Sequence, residues 1–304
     1  MCAIAVVPAV TAEAATGRGH GRYAVGEIFI HFTDRSRLVT FPGQRPRPRP
    51  LETVIRYPAV GDPSGTDVRD APPARAGGPF PLIVFAHGFN VTPATYASLL
   101  QAWARAGYVV AAPIFPLTNA NAPGGANESD LVNQPRDMSF VITQLLARDS
   151  ARYSVLHRLI RRREIAVTGQ SDGGSTALAV AYNSQFVDHR VRAAMILSGA
   201  EIPGVGGYDF PAPSPPLLAV QGTADTSNAP ASTYHYFSLA PQPKFLLSLL
   251  GAGHLPPYAT EQPQLSIVER ETIAFLDRYL KRLSGARSRM WHDGNVSGIA
   301  KLTN

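Results

Sequence analysis

The chain has a single cysteine, Cys2, among 304 residues. That excludes an internal disulfide framework and a thiolate metal cluster, so stability has to come from a packed core. Charge is also sparse: Asp, Glu, Lys and Arg make up 16% of the chain and the net charge is +6. So thin a charge density is not the basic surface of a nucleic-acid binder. No apolar run reaches the roughly 18 residues that a membrane-spanning helix needs. No internal repeat is present either, which removes solenoids and propellers. What the chain does have is apolar content of 45%, with 27 prolines and 26 glycines. It is long enough for one large α/β domain.

Two arginine clusters stand out, Arg45/Arg47/Arg49 and Arg161/Arg162/Arg163. The first alternates with prolines and predicts an extended, solvated segment. The second precedes an apolar strand, where cations suit a helix C-terminus. At the start, Ala3 to Val10 is a short apolar run followed by Ala12-Glu13-Ala14-Ala15, small residues of the type a signal peptidase cleaves, but without a positive leading region. Residues 1–16 are therefore expected to be a truncated signal peptide, giving a secreted protein. The alternative is a disordered tail on a cytoplasmic one. Residues 17–304 are expected to form one domain and a monomer.

Local patterning alternates strand and helix. Tyr23 to Phe32 and Leu51 to Tyr57 predict an antiparallel edge pair. Leu82 to Ala86 is a continuous apolar run, as in a strand buried on both faces. Helix is expected from Pro93 to Ala106, strand from Tyr108 to Ala112, and helix again from Pro135 through the spacing Met138, Val141, Ile142, Leu145, Leu146. A short polar helix is expected near Ser154 to Arg161. Further strands are expected at Val191–Leu197, Leu217–Gln221 and Lys244–Leu250, with helices at Tyr234–Leu239 and Ile267–Leu283. Ser284 to Asn304 reads as irregular. Such alternation implies a mostly parallel, doubly wound sheet of about eight strands flanked by helices. Between Pro113 and Pro135 lies a long Asn/Gly/Pro loop, and 118–134 has the length of a lid.

The stretch that carries chemistry is Ile165 to Gly174: an apolar run, Gly169-Gln170-Ser171-Asp172-Gly173, and then small residues. Strand, sharp turn and helix would expose the Ser171 hydroxyl above the sheet. In parallel sheets sites form beyond the carboxyl ends of the strands, and His87, Ser171, Asp225 and His254 each follow a predicted strand. A serine needs a base, the base needs an orienting acceptor, and an oxyanion needs fixed donors. His254, in a glycine-rich turn after the last strand, is the favoured base, with His87 the rival and better suited to holding the neighbouring loop. His20, His31, His157, His189, His235 and His292 have no comparable placement. Asp225 is the favoured acid, with an Asx turn as its structural alternative and Asp209 as the competing carboxylate. The expected oxyanion donors are the backbone N–H groups of Phe89 and Asp172, the latter at a helix N-terminus.

His87-Gly88-Phe89, the Gly169–Gly173 turn, Gly222-Thr223-Ala224-Asp225 and Gly253-His254 together resemble the α/β-hydrolase superfamily. The likeness is to its dienelactone-hydrolase-like, chlorophyllase-like and bacterial cutinase or polyester-hydrolase branch, and it runs from about Leu51 to Leu283. The order Ser171, Asp225, His254 matches the triad order of that superfamily. The resemblance implies an α/β-hydrolase fold and a serine carboxylic-ester hydrolase, esterase or lipase-like, acting through an acyl-enzyme without metal or cofactor. Gln170 and Asp172 depart from the residues that flank the nucleophile in polyester-cleaving members. A small soluble or lipid-like ester is thus the expected substrate, with Phe89, Gln170 and Glu201 as candidate contacts. A polyester, cutin, chlorophyll-type or phospholipid ester is the same-fold alternative. A non-catalytic binding protein on the same fold is the alternative of another class.

Overall fold

The computed structural model describes residues 22–304; the expected signal segment at 1–16 lies outside them. The chain opens with a long hairpin, β1 (Ala24–Val39) and β2 (Arg47–Ala59), followed by the two-residue β3 (Val68–Arg69). Then come β4 (Phe80–Ala86), α1 (Ala97–Arg105), β5 (Val109–Pro113), α2 (Gln134–Ser150), β6 (Ile160–Gln170), α3 (Asp172–Tyr182) and β7 (Val191–Leu197). The remainder is β8 (Leu217–Gly222), α4 (Pro230–Leu239), β9 (Lys244–Leu249), α5 (Pro256–Ala259), α6 (Gln264–Tyr279), α7 (Ala286–Asp293) and β10 (Ala300–Thr303).

One ten-stranded sheet results, in the order β10-β9-β8-β7-β6-β4-β5-β2-β1-β3. Its centre, β5 through β9, is parallel, while β1/β2, β2/β5 and β9/β10 are antiparallel. The apolar runs divide by strand parity. Leu82 and Val84 of β4 and Ile165 and Val167 of β6 face a core shared with α2 and α3. Ile83, Phe85 and Ala166 face a second core with α1 and α6. A strand apolar at every position is what a sheet covered on both faces requires. Across the second face Trp103 Nε1 of α1 donates to Thr272 Oγ1 of α6 at 2.9 Å, satisfying a buried donor. No helix among the described residues is long and apolar enough to cross a membrane.

Three expectations are corrected. Ser284–Asn304 is not irregular: α7 docks through buried Ala286 and Met290, and β10 adds a strand beyond β9 with Ala300 and Leu302 facing inward. Two alternating apolar residues are too short a pattern to read, and the ladder to β9 supplies what the side chains do not. Near Ser154–Arg161 the chain makes turns rather than a helix, and β6 already begins at Ile160. Asp149 fixes this return, its Oδ1 accepting from Ile160 N at 2.9 Å. Arg162 nonetheless reaches the end of α2, donating to Leu146 O at 2.7 Å from the strand. Finally, Arg49 is buried rather than solvated, at 2% exposure. Its Nε donates to Asp137 Oδ1 at 2.8 Å and its Nη1 to Asp130 Oδ1 at 3.0 Å. Asp130 lies in a 3-10 turn, Glu128–Asn133, and Asp137 in the first turn of α2. The edge hairpin thereby braces part of the long loop above the sheet.

Candidate active site

β6 ends at Gln170 and α3 begins at Asp172, so the chain must reverse within one residue. Ser171 does this with φ 59° and ψ −125°, a region that costs a non-glycine residue about 1–3 kcal/mol. The reversal brings the turn against the end of β4. A Cβ on Gly169 would sit 2.1 Å from Gly173 O, and one on Gly173 would sit 2.0 Å from Ala86 O. The two glycines of the motif are therefore there for close backbone approach. Ser171 N is held by Leu197 O of β7 at 3.0 Å, which pins the turn from the other side.

Four strand ends converge here. His254, in the loop after β9, places Nε2 2.8 Å from Ser171 Oγ and Nδ1 2.7 Å from Asp225 Oδ2. Asp225 follows β8 and is almost fully buried. Its Oδ1 accepts from Ser227 N and Asn228 N, each at 2.9 Å. The Asx turn and the contact to His254 coexist: the turn uses Oδ1 and leaves Oδ2 facing the imidazole. With Asp225 accepting at Nδ1, the tautomer carries its proton there and leaves the Nε2 lone pair toward the serine hydroxyl.

His87 is fully buried and lies apart from this relay. Its Nδ1 donates to Gly88 O at 2.8 Å, and its Nε2 accepts from Phe115 N at 3.1 Å. Burial holds its pKa down to about 4, so it is a neutral tie between the loops after β4 and β5. Asp209 accepts from Ser184 Oγ at 3.0 Å on an exposed loop and does not line the cleft. None of the other described histidines lines it; His31 and His235 stand beside surface glutamates, Glu52 and Glu201.

Around Ser171 is a cleft of about 300 Å³. Its lining draws on the loop after β4, with Phe89 and Val91, and on the loops after β8 and β9, with Asn228 and Leu255. Phe89 and Asp172 both line it. Asp172 is the first residue of α3, where backbone N–H groups have no partner within the helix and the dipole favours an anion. The Asp172 carboxyl is pushed up to about 6, chiefly by burial and then by Glu128, and its Oδ2 has no hydrogen-bond partner among the described residues.

Sequence reasoning missed Tyr96 and Glu128 here. Tyr96 is a second aromatic in the lining, and its spacing from Gly88 gave no signal. Glu128 enters from the long loop, carried by the turn that Arg49 braces through Asp130. Gln170, expected to touch substrate, is among the residues lining the cleft, although it is largely buried and its amide is hydrogen-bonded to Tyr96 and to the His254 carbonyl. Glu201 is not part of the lining and lies 3.7 Å from His235. The stretch 118–134 is tied to the body of the protein, Gln134 Nε2 donating to Thr118 Oγ1 and Thr176 Oγ1 donating to Gln134 Oε1. Among the described residues, no group of three or more His, Cys, Asp and Glu side chains is placed to hold a metal ion.

The parallel sheet with its antiparallel edge, the strained serine between β6 and α3, and the acidic and histidine loops after β8 and β9 define a class, and the comparisons name it. The fold is that of the α/β hydrolases. Within it the likeness is to the chlorophyllase- and esterase-like branch. A family model described as Chlorophyllase matches residues 68–209. The solved ferulic acid esterase from Streptomyces cinnamoneus superposes with a TM-score of 0.64, covering 86% of this chain and 92% of that one at 20% identity. No curated protein sequence matches the chain.

Proposed function

We propose that this chain is a serine carboxylic-ester hydrolase working through an acyl-enzyme. The observation that carries the reading is the relay of 2.8 and 2.7 Å from a strained serine through His254 to a buried carboxylate. Ser171 Oγ attacks the ester carbonyl carbon as its proton passes to His254 Nε2. The carbonyl oxygen becomes the oxyanion, held by the N–H groups of Phe89 and Asp172; one such donor is worth about 3–4 kcal/mol. The C–O bond to the alcohol then breaks, and the alcohol leaves with the proton from Nε2. Water attacks the acyl-serine through the same steps, releasing the acid and restoring Ser171. Side chains and backbone amides supply all of this chemistry.

The cleft's size and walls favour a small, neutral acyl group. Phe89, Val91 and Leu255 offer apolar surface, while Glu128 and Asp172 disfavour an anionic substrate. A chlorophyll-type ester is the second reading, favoured by the family-model match. A series of p-nitrophenyl esters of increasing acyl length tests the proposal against wild type and Ser171→Ala. The expected result is turnover greatest for short chains and reduced at least 1000-fold, on the order of triad removal, in the variant. Undiminished turnover by purified Ser171→Ala would overturn it.

A further inference from the structure

A chain of buried polar groups lies behind the reacting atoms, and none of the acyl-transfer steps uses it. Gly88 N donates to Tyr96 Oη at 3.3 Å. Tyr96 Oη donates to Gln170 Oε1 at 2.7 Å, and Gln170 Nε2 donates to His254 O at 2.9 Å. The same Nε2 is 3.4 Å from His254 Nε2. Tyr96 and Gln170 are 0% and 1% exposed. The His254 carbonyl fixes the amide's orientation: turned over, Gln170 would set its oxygen against that carbonyl. With the NH2 side facing the ring edge, the imidazole has an acceptor in reach only in the direction of Ser171 Oγ once its Nε2 is protonated.

The two ends of this network lie on loops, Gly88 after β4 and His254 after β9. Gly88 immediately precedes Phe89, the candidate oxyanion donor, and His254 is the base. Gln170 is the residue before Ser171, at the rigid end of β6. The packing is close enough that a Cβ on Gly88 would meet Gln170 Oε1 at 3.1 Å, Tyr96 Oη at 3.1 Å and Ser171 Cβ at 3.2 Å. We propose that Gln170 is a positioning residue that sets the His254 loop and, through Tyr96, the Gly88–Phe89 loop at fixed distances from Ser171. This rests on reading Ser171 as the nucleophile. Gln170 acts through His254 and the loop rather than on substrate, which distinguishes it from the substrate contact expected from the sequence.

The test compares Gln170→Met, Tyr96→Phe and the double variant, all close in shape to the native side chains. With a short p-nitrophenyl ester, Gln170→Met is expected to lower kcat about tenfold, the scale of losing a buried hydrogen bond, with KM within about twofold. The double variant should lose about as much as Gln170→Met alone, because both act on one chain of bonds. On the resting protein, the downfield proton resonance of His254 Nδ1–H should shift or broaden in Gln170→Met. Unchanged kcat, a rise in KM alone, multiplicative losses, or an unmoved resonance would each overturn the proposal. The hydrolase reading fails separately, through undiminished turnover in Ser171→Ala, and the resonance still decides the role of Gln170 in that event.

Discussion

Asp225→Asn replaces one atom, and the structure dictates how the new amide must sit. The Oδ1 position faces two backbone donors, Ser227 N and Asn228 N at 2.9 Å each. An amide NH2 placed there would leave both of those donors unpaired, at roughly 1–3 kcal/mol each. The amide oxygen therefore takes the Oδ1 position and the NH2 takes that of Oδ2, 2.7 Å from His254 Nδ1. Gln221 Nε2, which donates to Oδ2 at 3.2 Å, has Gly222 O and Asn228 O as other acceptors and does not reverse the choice. A donor facing Nδ1 forces the ring proton onto Nε2, and the imidazole then has no lone pair for the serine hydroxyl. The productive tautomer needs the amide to turn over. A cost of roughly 4–5 kcal/mol corresponds to a loss in kcat of about 10³ to 10⁴, the scale known for a wrong-tautomer triad. KM should stay near wild type, since Asp225 does not line the cleft. Steady-state hydrolysis of p-nitrophenyl butyrate measures both constants. A loss below tenfold would refute the reasoning, because Asp225 would then not be what orients His254.

Two predictions concern stability. Glu271 is fully buried, neither carboxyl oxygen has a partner among the described residues, and burial, with Asp293 adding to it, pushes its pKa up to about 9. The folded state thus holds a proton that the unfolded chain releases near its ordinary value, so stability falls as pH rises between those values. The cost is roughly 3 kcal/mol at pH 7. Glu271→Gln should be more stable than wild type above pH 6, by an amount growing about 1.4 kcal/mol per pH unit up to pH 8; parallel pH dependences of Tm would contradict this. Arg49→Met removes the cation shared by Asp130 and Asp137, leaving them only Asn133 and Arg37 as partners, and should cost about 3–5 kcal/mol in urea unfolding, with a cost below 1 kcal/mol counting against a buried ion network.

Much of this was legible in the sequence because it is written in short local signals. Apolar runs such as Leu82–Ala86 fix strand and depth at once, and the glycines at 169 and 173 announce a backbone approach that only glycine allows. The order of polar residues after successive strands then follows from the way a parallel sheet collects strand ends on one edge. What escaped depends on contacts across the sequence. Arg49 looks solvated among prolines until Asp130 and Asp137, more than 80 residues away, are folded over it. The amide bonds of Gln170 to Tyr96 and to the His254 carbonyl likewise join positions 74 and 84 residues away in sequence. Leu302 and Ala300 carry too little pattern to predict β10, because the β9 edge supplies the missing order.

The account stands or falls on Ser171 as the nucleophile activated by His254. A fluorophosphonate probe followed by peptide mass mapping tests this directly: the adduct should fall on Ser171 in wild type and be lost in His254→Ala. An adduct on another residue, or equal labelling of Ser171 in the His254 variant, would contradict it.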